Sequence, residues 1–413
     1  MDILKVRDAA DVEEAVRAAV ASEQPLEVVG HGSKRAIGHP MATNAVLDLS
    51  VLDRVTSYEP NELLLTVEAG APLADVLSLI DSKNQHFAFE PMNPAVLLGT
   101  GHDAGTIGGM LATGLAGPRR IKDGSARDHL LGAHAVSGFG ETFKTGGKVV
   151  KNVTGYDLCK LLCGSWGTLA VMTEVTLKVM PRPETQCTLV LRGLDDVAAV
   201  RAMTAALGSP YDVSGAAHVP ASVPGDPDGA LARVSAEREP LTLLRLEGIA
   251  VSVRHRAGSL TAALASHGAA ELLEEDVSGA LWQAVRDVSP FAATGSCGDW
   301  TVWRIICPPA SGGHLGREVA EMTSGVVLYD WGGGLIWAAL PLEDKTEAAW
   351  LRSRAESVGG HATLIRAPEQ VRREVDVFHP APDGVAALTR RIKHSFDPKD
   401  ILNRGRLIRG TAT

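Results

Sequence analysis

GTIGGMLATGLAGPRR, residues 105–120, places five glycines (Gly105, Gly108, Gly109, Gly114 and Gly117) among small and apolar residues and ends on Arg119–Arg120. Glycine loses more backbone freedom on folding than any other residue, so this density is costly to order. It is expected where main chain must approach something closely. The arginines that follow suggest an anion, and the stretch reads as backbone packed against a phosphorylated cofactor.

The surroundings support a layered α/β region. Asp8 can cap a helix with Val12, Val16, Ala19 and Val20 on one face, and the whole N-terminus from Met1 is helical in pattern. Leu26–Val29 reads as a strand running into Gly30-His31-Gly32-Ser33-Lys34. Further strands are expected at 45–49, 63–67, 130–136 and 168–179, with helices from Pro72 to about Asn84 and near 156–162. The Gly30–Lys34 loop lacks the third glycine of a dinucleotide fingerprint, since Arg35 stands in its place and Pro40 interrupts the following helix. It is not a P-loop either, and taken alone it is equally a structural turn or a phosphate contact.

Pro181-Arg182-Pro183 closes this region. Beyond it, six of the seven tryptophans fall between 282 and 350, and strands at 241–246, 301–306 and 335–340 alternate with helices at 256–267 and 345–357. That pattern predicts an α+β unit with helices on a mostly antiparallel sheet. Ordinary core packing is the default for the tryptophans, with a substrate roof or subunit interface as alternatives.

Composition narrows the function class. A net charge of −9 disfavours a nucleic-acid-binding role. No apolar run reaches the ~18 residues of a membrane span, and the acidic N-terminus is no targeting signal; a cytoplasmic protein is expected, able to reach the inner membrane through partners. Five scattered cysteines with no C-x-x-C make a disulfide framework or an iron–sulfur site in this chain improbable, and buried inert thiols are expected. None of the thirteen histidines forms H-x-H or H-E-x-x-H, so no metal site is predicted.

With Gly105–Arg120 are read KVVKNVTGYDL within 148–158, Arg127-Asp128 with Leu131-Gly132, and GSWGTLAVMTEV at 164–175. Together these resemble the flavin-binding domain of the vanillyl-alcohol oxidase superfamily, the PCMH-type fold. The phrases GLAGPRR (114–120), KNVTGYD (151–157), DWGG (330–333), GGHAT (359–363) and FDPKDILNRGR (396–406) resemble the FAD-binding subunits of bacterial glycolate oxidases. The resemblance implies an α+β protein in three parts: a PCMH-type FAD-binding domain of two α/β subdomains at 1–183, a smaller α+β cap with an antiparallel sheet at 184–395, and a tail at 396–413 returning to the flavin domain. It further implies FAD held by Gly30, His31, Gly32, Ser33, Lys34, Gly105, Thr106, Gly108 and Gly109 at the pyrophosphate. Gly114 and Gly117 would pack beside it, Gly164, Thr168 and Val171 would line the adenine and flavin side, and Asn403 would contact the isoalloxazine ring.

Arg119 and Arg120 are candidates for phosphate, for a partner's carboxylates, or for plain exposure. Lys151 and Tyr156 are candidates for the flavin surroundings, with core filling the alternative for Tyr156. The proline usual after the tail asparagine is Arg404 here. In relatives that attach FAD covalently a histidine immediately precedes the loop serine; here Gly32 precedes Ser33, so FAD is expected to be non-covalent. His361 is read as a structural strand histidine in preference to a catalytic base, and the Glu-His-Gly signature of sister catalytic subunits is missing from the chain. The function implied is the FAD-binding subunit of a glycolate oxidase (dehydrogenase) complex, working beside a larger FAD subunit and an iron–sulfur subunit on a 2-hydroxy acid. The alternatives are a self-sufficient FAD oxidoreductase for another hydroxy acid or alcohol, and a flavin-holding structural subunit. No catalytic residue is assigned.

Overall fold

The computed structural model describes residues 2–43, 45–101, 105–147, 156–225, 229–234, 239–341 and 345–409. Three sheets of three or more strands organise them, beside a two-stranded pairing of Gln85–His86 with Met180–Pro181. The first is a three-stranded parallel sheet with Ala45–Asp48 between Asp2–Lys5 and Leu26–Val29. Helix Ala9–Ser22 connects its edge strands, and the Asp8 side chain caps it by accepting from the amides of Ala10 and Asp11. Val12, Val16 and Ala19 are its buried residues, as the helical spacing predicts. Asp2–Lys5, however, is a strand and not part of that helical pattern: its four residues are exposed, and parallel pairing with 45–48 holds them.

The second sheet has five antiparallel strands in the order Val55–Glu59, Leu64–Glu68, Ala170–Lys178, Leu130–Ser137 and Thr142–Gly146. Its core face carries Leu65, Val67, Ala133, Ala135, Val175 and Leu177 against helices Leu73–Asp81 and Ile107–Thr113. These two units are the α/β halves expected of the first region.

Eight antiparallel strands form the third sheet, in the order 270–273, 185–192, 241–248, 215–219, 326–330, 335–340, 301–306 and 361–366. One face is covered by helices Asp196–Leu207, Ala250–Ala263, Pro309–Thr323 and Lys345–Ser357. The other face carries Val190, Ala217, Leu243, Val302, Leu328 and Trp337, and packs on Ile37, Met92, Leu97, Leu115, Ala116 and Trp166 of the first region. Alternation along each strand thus serves two cores, one internal and one joining the halves of the molecule. Trp282, Trp303, Trp331 and Trp337 are buried, as core packing requires.

The chain then returns. Helix Asp383–Phe396 leads to a tail in which Leu402 bridges Leu26 in parallel and the Asn403 amide donates to Leu26 O at 3.0 Å. Four of the cysteines are buried and Cys163 is partly so; all are free. Among the described residues no helix is long and apolar enough to cross a membrane.

Candidate cofactor-binding site

Strand Leu26–Val29 delivers the chain into the loop 30–34, and the turn needs Gly32 at φ +71°. Among the described residues, the amides of Gly30 to Lys34 donate to no protein acceptor, whereas Arg35 and Ile37 turn back onto Gly32 O and Lys34 O. Successive unpaired N–H groups of this kind make an anion-binding concavity. The Lys34 ammonium lies beside them with Ser33 Oγ at 3.4 Å as its hydrogen-bond partner, and burial pushes it down to about 8. A half-buried ammonium without a carboxylate partner among the described residues is costly, and it favours a bound negative charge.

The opposite wall is helix Ile107–Thr113. Thr106 caps it, its Oγ1 accepting from the Gly109 amide at 3.2 Å. Two glycines here permit close approach: a Cβ on Gly30 would stand 2.6 Å from Thr106 Oγ1, and one on Gly108 would stand 2.8 Å from Ala69 O. The amides of Ile107 and Gly108 are spent on Ala71 O and Ala69 O, so this segment supplies shape and the 30–34 loop supplies the free donors. Gly105 and Gly109 face the Lys34 ammonium, which would lie 3.8 and 3.7 Å from a Cβ on each.

The pocket is completed by Trp166, Gly167, Ala170, Val171 and Met172 and by two tail residues, Asn403 and Arg406. The side chain of Asn403 is committed at both ends: Oδ1 accepts from Val28 N at 2.8 Å and Nδ2 donates to Trp166 O at 2.8 Å. It therefore joins the strand, the Trp166 turn and the tail. Its φ of 45° lies in the left-handed region that asparagine tolerates. In place of the usual proline, Arg404 closes the turn by donating to Asp400 O and Lys399 O. The buried Arg406 donates to Ile37 O and to Glu27, which also holds Arg35, while its Nε at the pocket has no partner among the described residues.

Of the residues expected to hold the cofactor, Gly30, His31, Gly32, Ser33, Lys34, Thr106, Gly108, Gly109, Val171 and Asn403 line this one pocket. Gly105 adjoins it at Lys34. Four others, like Arg119 below, are set against protein. Gly114 ends the helix 107–113 and packs on Gly164. Gly117 lies under Glu90 O and Arg286, where the two halves of the molecule meet. Gly164 donates to Leu111 O, and the Thr168 hydroxyl closes a turn on Ser165 O.

Arg119 does not point to the pocket and is not exposed: its guanidinium is bound by Glu247 and contacts His86 Nδ1 at 3.1 Å. The physical reason is a rival anion. Glu247 belongs to a buried network in which Arg245 forms a double hydrogen bond with Glu90 at 2.9 and 3.0 Å. Burial works to raise the Glu90 carboxyl, but Arg245 outweighs it and holds the group at about 2. Tyr156 is 91% exposed, so it fills no core, and Lys151 lies outside the described residues. His361 begins the strand His361–Arg366 as expected of a strand histidine, and burial followed by Arg304 lowers it. Sequence reasoning missed Glu27, Arg35, Trp166 and Arg406; a charge inside the apolar strand LEVV was the one available signal.

A second cavity of about 560 Å³ opens between helix Leu73–Asp81 and helix Glu275–Arg286, over the Glu90–Arg245 network. Its arginines are matched by acids, Arg182 with Asp81 and Arg286 with Asp287 among them. The free amides and the unpaired Lys34 distinguish the first pocket from it.

Residues 3–146 match the FAD binding domain family, and residues 380–407 match the C-terminal domain of FAD linked oxidases. Glycolate oxidase subunit GlcE of Escherichia coli K12 is 32% identical over 396 residues, 95% of each chain. Glycolate oxidase subunit GlcD of Bacillus subtilis is 31% identical over 173 residues, covering 41% of this chain and 35% of the relative. D-lactate dehydrogenase of Anaerostipes hadrus is 32% identical over 146 residues, covering 35% and 29%. In architecture the chain is similar to p-cresol methylhydroxylase (TM-score 0.71, 14% identity, 98% of this chain and 88% of that one). Alkyldihydroxyacetonephosphate synthase gives a TM-score of 0.72 at 16% identity, covering 97% and 75%.

Proposed function

The chain belongs to the glycolate oxidase GlcE subunit family of FAD-dependent oxidoreductases, and on that premise we propose that it is the FAD-holding subunit of a complex that oxidises glycolate or a close 2-hydroxy acid. The observation that carries the proposal is the pairing of five amides, Gly30 to Lys34, which donate to no acceptor among the described residues, with a Lys34 ammonium that has no carboxylate partner there. That donor set suits a diphosphate, and the glycine-lined helix 107–113 leaves the close approach a dinucleotide needs. Gly30, His31, Gly32, Ser33 and Lys34 would hold the pyrophosphate, with Gly105, Thr106, Gly108 and Gly109 shaping the wall beside it. Val171 and Asn403 would border the remainder.

Bound FAD would supply the acceptor for the hydride that leaves the carbinol carbon as glycolate becomes glyoxylate, while the hydroxyl proton passes to a base or to solvent. The chain's own residues bind and orient. Lys34 neutralises phosphate charge, and Trp166 with Val171 and Met172 excludes water from one wall. Asn403 fixes the distance between the strand and the tail. FAD is held without a covalent bond, because Gly32 occupies the position before Ser33. The larger FAD subunit and an iron–sulfur subunit are the partners proposed to take the electrons onward, and they would bring a cytoplasmic chain to the inner membrane. The boundaries at 183 and 395 are likewise proposed as those of the flavin domain, cap and tail.

The test is to load the purified chain with FAD, precipitate a sample with acid, and add glycolate anaerobically to the rest, alone and after co-expression with the partner subunits. Flavin should leave with the supernatant, and flavin absorbance should bleach in the complex. Bleaching of the isolated chain would make it a self-sufficient dehydrogenase. Failure to bleach in either form would make it a structural flavin holder, and failure to take up FAD would overturn the proposal.

A further inference from the structure

Arg304 shares the face of the eight-stranded sheet that packs against the flavin domain with Arg245 and Glu247. On strand Thr301–Ile306, Trp303 and Ile305 point into the helix-covered core, while Val302 and Ile306 point with Arg304 toward the first region. Register places Arg304 between Trp337 and Thr363, away from the sheet edge.

Its guanidinium has no carboxylate within salt-bridge distance and no hydrogen bond among the described residues, and its Nε is fully shielded from solvent. Burial pushes it down to about 10, with Arg120 adding to the effect. What it does contact is the indole of Trp331, at 5.1 Å from the ring centre. Arg120, arriving from the flavin domain, lies 4.5 Å from the same ring and also lacks a carboxylate partner among the described residues. Two cations gathered at one ring repel each other, and an indole face only partly offsets that. Every other buried arginine of this interface has found an acceptor: Arg119 has Glu247, Arg245 has Glu90, and Arg366 donates to four backbone carbonyls, those of Leu97, Phe291, Cys297 and Trp300.

The location ties this unmatched charge to the flavin pocket. Ala112 and Thr113 line that pocket, and four residues further on the Gly117 carbonyl accepts from Trp331 Nε1 at 3.1 Å. Trp166, on the pocket wall, shares one apolar cluster with Trp331, Leu115 and Ala116. The buried Asp330 attracts Arg304 without a hydrogen bond or ion-pair contact to it: burial raises the carboxyl to about 7, and its Oδ1 is engaged by the Trp331 amide at 2.7 Å. His361, lowered in turn, adds no full charge at neutral pH.

We propose that Arg304 and Arg120, set about Trp331 where cap and flavin domain meet, form the carboxylate-binding site for a small 2-hydroxy acid. A guanidinium can meet a carboxylate with two parallel N–H donors, and one from each side of the interface would clamp a two- or three-carbon acid there. The inference rests on the flavin-subunit reading for the identity of the acid, though not for its charge.

The probe is oxalate, a two-carbon carboxylate with no carbinol hydrogen to lose, titrated into the FAD-loaded chain and followed by calorimetry and by the visible flavin spectrum. Wild type is expected to bind it with a flavin band shift. Arg304→Met and Arg120→Met should each weaken binding roughly 10- to 100-fold, the range for a lost charge-assisted hydrogen-bonded contact, with flavin content unchanged. Arg304→Lys, which keeps the charge but not the fork, should fall between; it and the exposed Arg120 carry the test if Arg304→Met fails to fold. Wild-type affinity in the Arg120→Met and Arg304→Lys variants, or no oxalate binding by the FAD-loaded wild type, would overturn the proposal. A chain that binds oxalate through Arg304 yet is never reduced by glycolate, even with its partners, would leave this site standing and remove the glycolate reading.

Discussion

Replacing Asn403 by alanine tests whether the tail builds the pocket proposed for FAD or merely covers it. The wild-type amide makes two hydrogen bonds of 2.8 Å, to Val28 N and Trp166 O, in a residue only 4% exposed. Alanine leaves that donor and that acceptor unmatched in the pocket wall, at roughly 1–3 kcal/mol each. The φ of 45° adds about 1 kcal/mol for a residue with Cβ and no local hydrogen bond. The expected loss is therefore roughly 3–7 kcal/mol, at the lower end if water fills the gap. Asn403→Gly removes the same hydrogen bonds without the dihedral penalty and should recover up to about 1 kcal/mol. Asn403→Asp keeps an acceptor for Val28 but faces the Trp166 carbonyl with an anion, and should fall between wild type and alanine. Urea unfolding of the apoprotein by circular dichroism gives the stability, and flavin fluorescence gives the FAD Kd. Alanine within about 0.5 kcal/mol of wild type, the range of a neutral surface change, with an unchanged FAD Kd would refute the argument.

Lys34 gives a pH signature. Its folded pKa, about 8, lies below its ordinary value, so between these limits the unfolded chain binds more protons and apoprotein stability should rise with pH from about 8 to 10.5. The gain is about 3 kcal/mol at most and should vanish in Lys34→Met, which should also weaken FAD binding at least tenfold, read by urea titration and FAD titration respectively. Glu90 has the opposite sign: its folded carboxyl stays ionised down to about 2, so its contribution is present above pH 4.5 and lost as pH falls through that window. Arg245→Met, which strands Glu90 and part of Glu247, should cost about 3–5 kcal/mol in urea unfolding at neutral pH, and a loss below 1 kcal/mol would contradict the buried pairing. Gly108→Ala should cost about 1–3 kcal/mol and lower FAD occupancy, because its methyl meets backbone Ala69 O at 2.8 Å and must shift the helix that walls the pocket; thermal melts with and without FAD measure both.

Much of this was legible in the chain because local physics agreed with the tertiary outcome. Helix 9–22 has its cap and its buried face in sequence, and strands 301–306 and 335–340 were bounded by their own turn residues. Asp2–Lys5 was illegible as a strand, since none of its residues is buried and its pairing partner lies forty-three positions away. The glycines were readable as points of close approach, but a glycine does not say what approaches. Gly108 and Gly30 meet the pocket wall, whereas Gly114 and Gly117 meet Gly164 and the Glu90–Arg286 contact. The partner of Arg119 was hidden for a related reason: its acceptor, Glu247, lies 128 residues on, in the eight-stranded sheet. The Glu27–Arg406 pair spans 379 residues and had no sequence signal beyond a carboxylate in an apolar strand.

The distances along the chain bear on how the site works. The pocket draws on residues 28–35, 106–113, 166–172 and 403–406, so it exists only once the tail has docked. Docking is secured away from the cofactor: Asp397 accepts from the amides of Ile401 and Leu402, and Lys393 bonds Asp397, Thr168 O and Leu402 O. Anything that binds the completed pocket must therefore stabilise the docked tail by the same free energy that the tail lends to binding. That reciprocity gives the half-buried Lys34 and the Arg406 Nε, unmatched among the described residues, a reason to persist, although each destabilises the unliganded chain. Their cost falls on the unliganded chain and would be offset by an anion bound in the completed pocket.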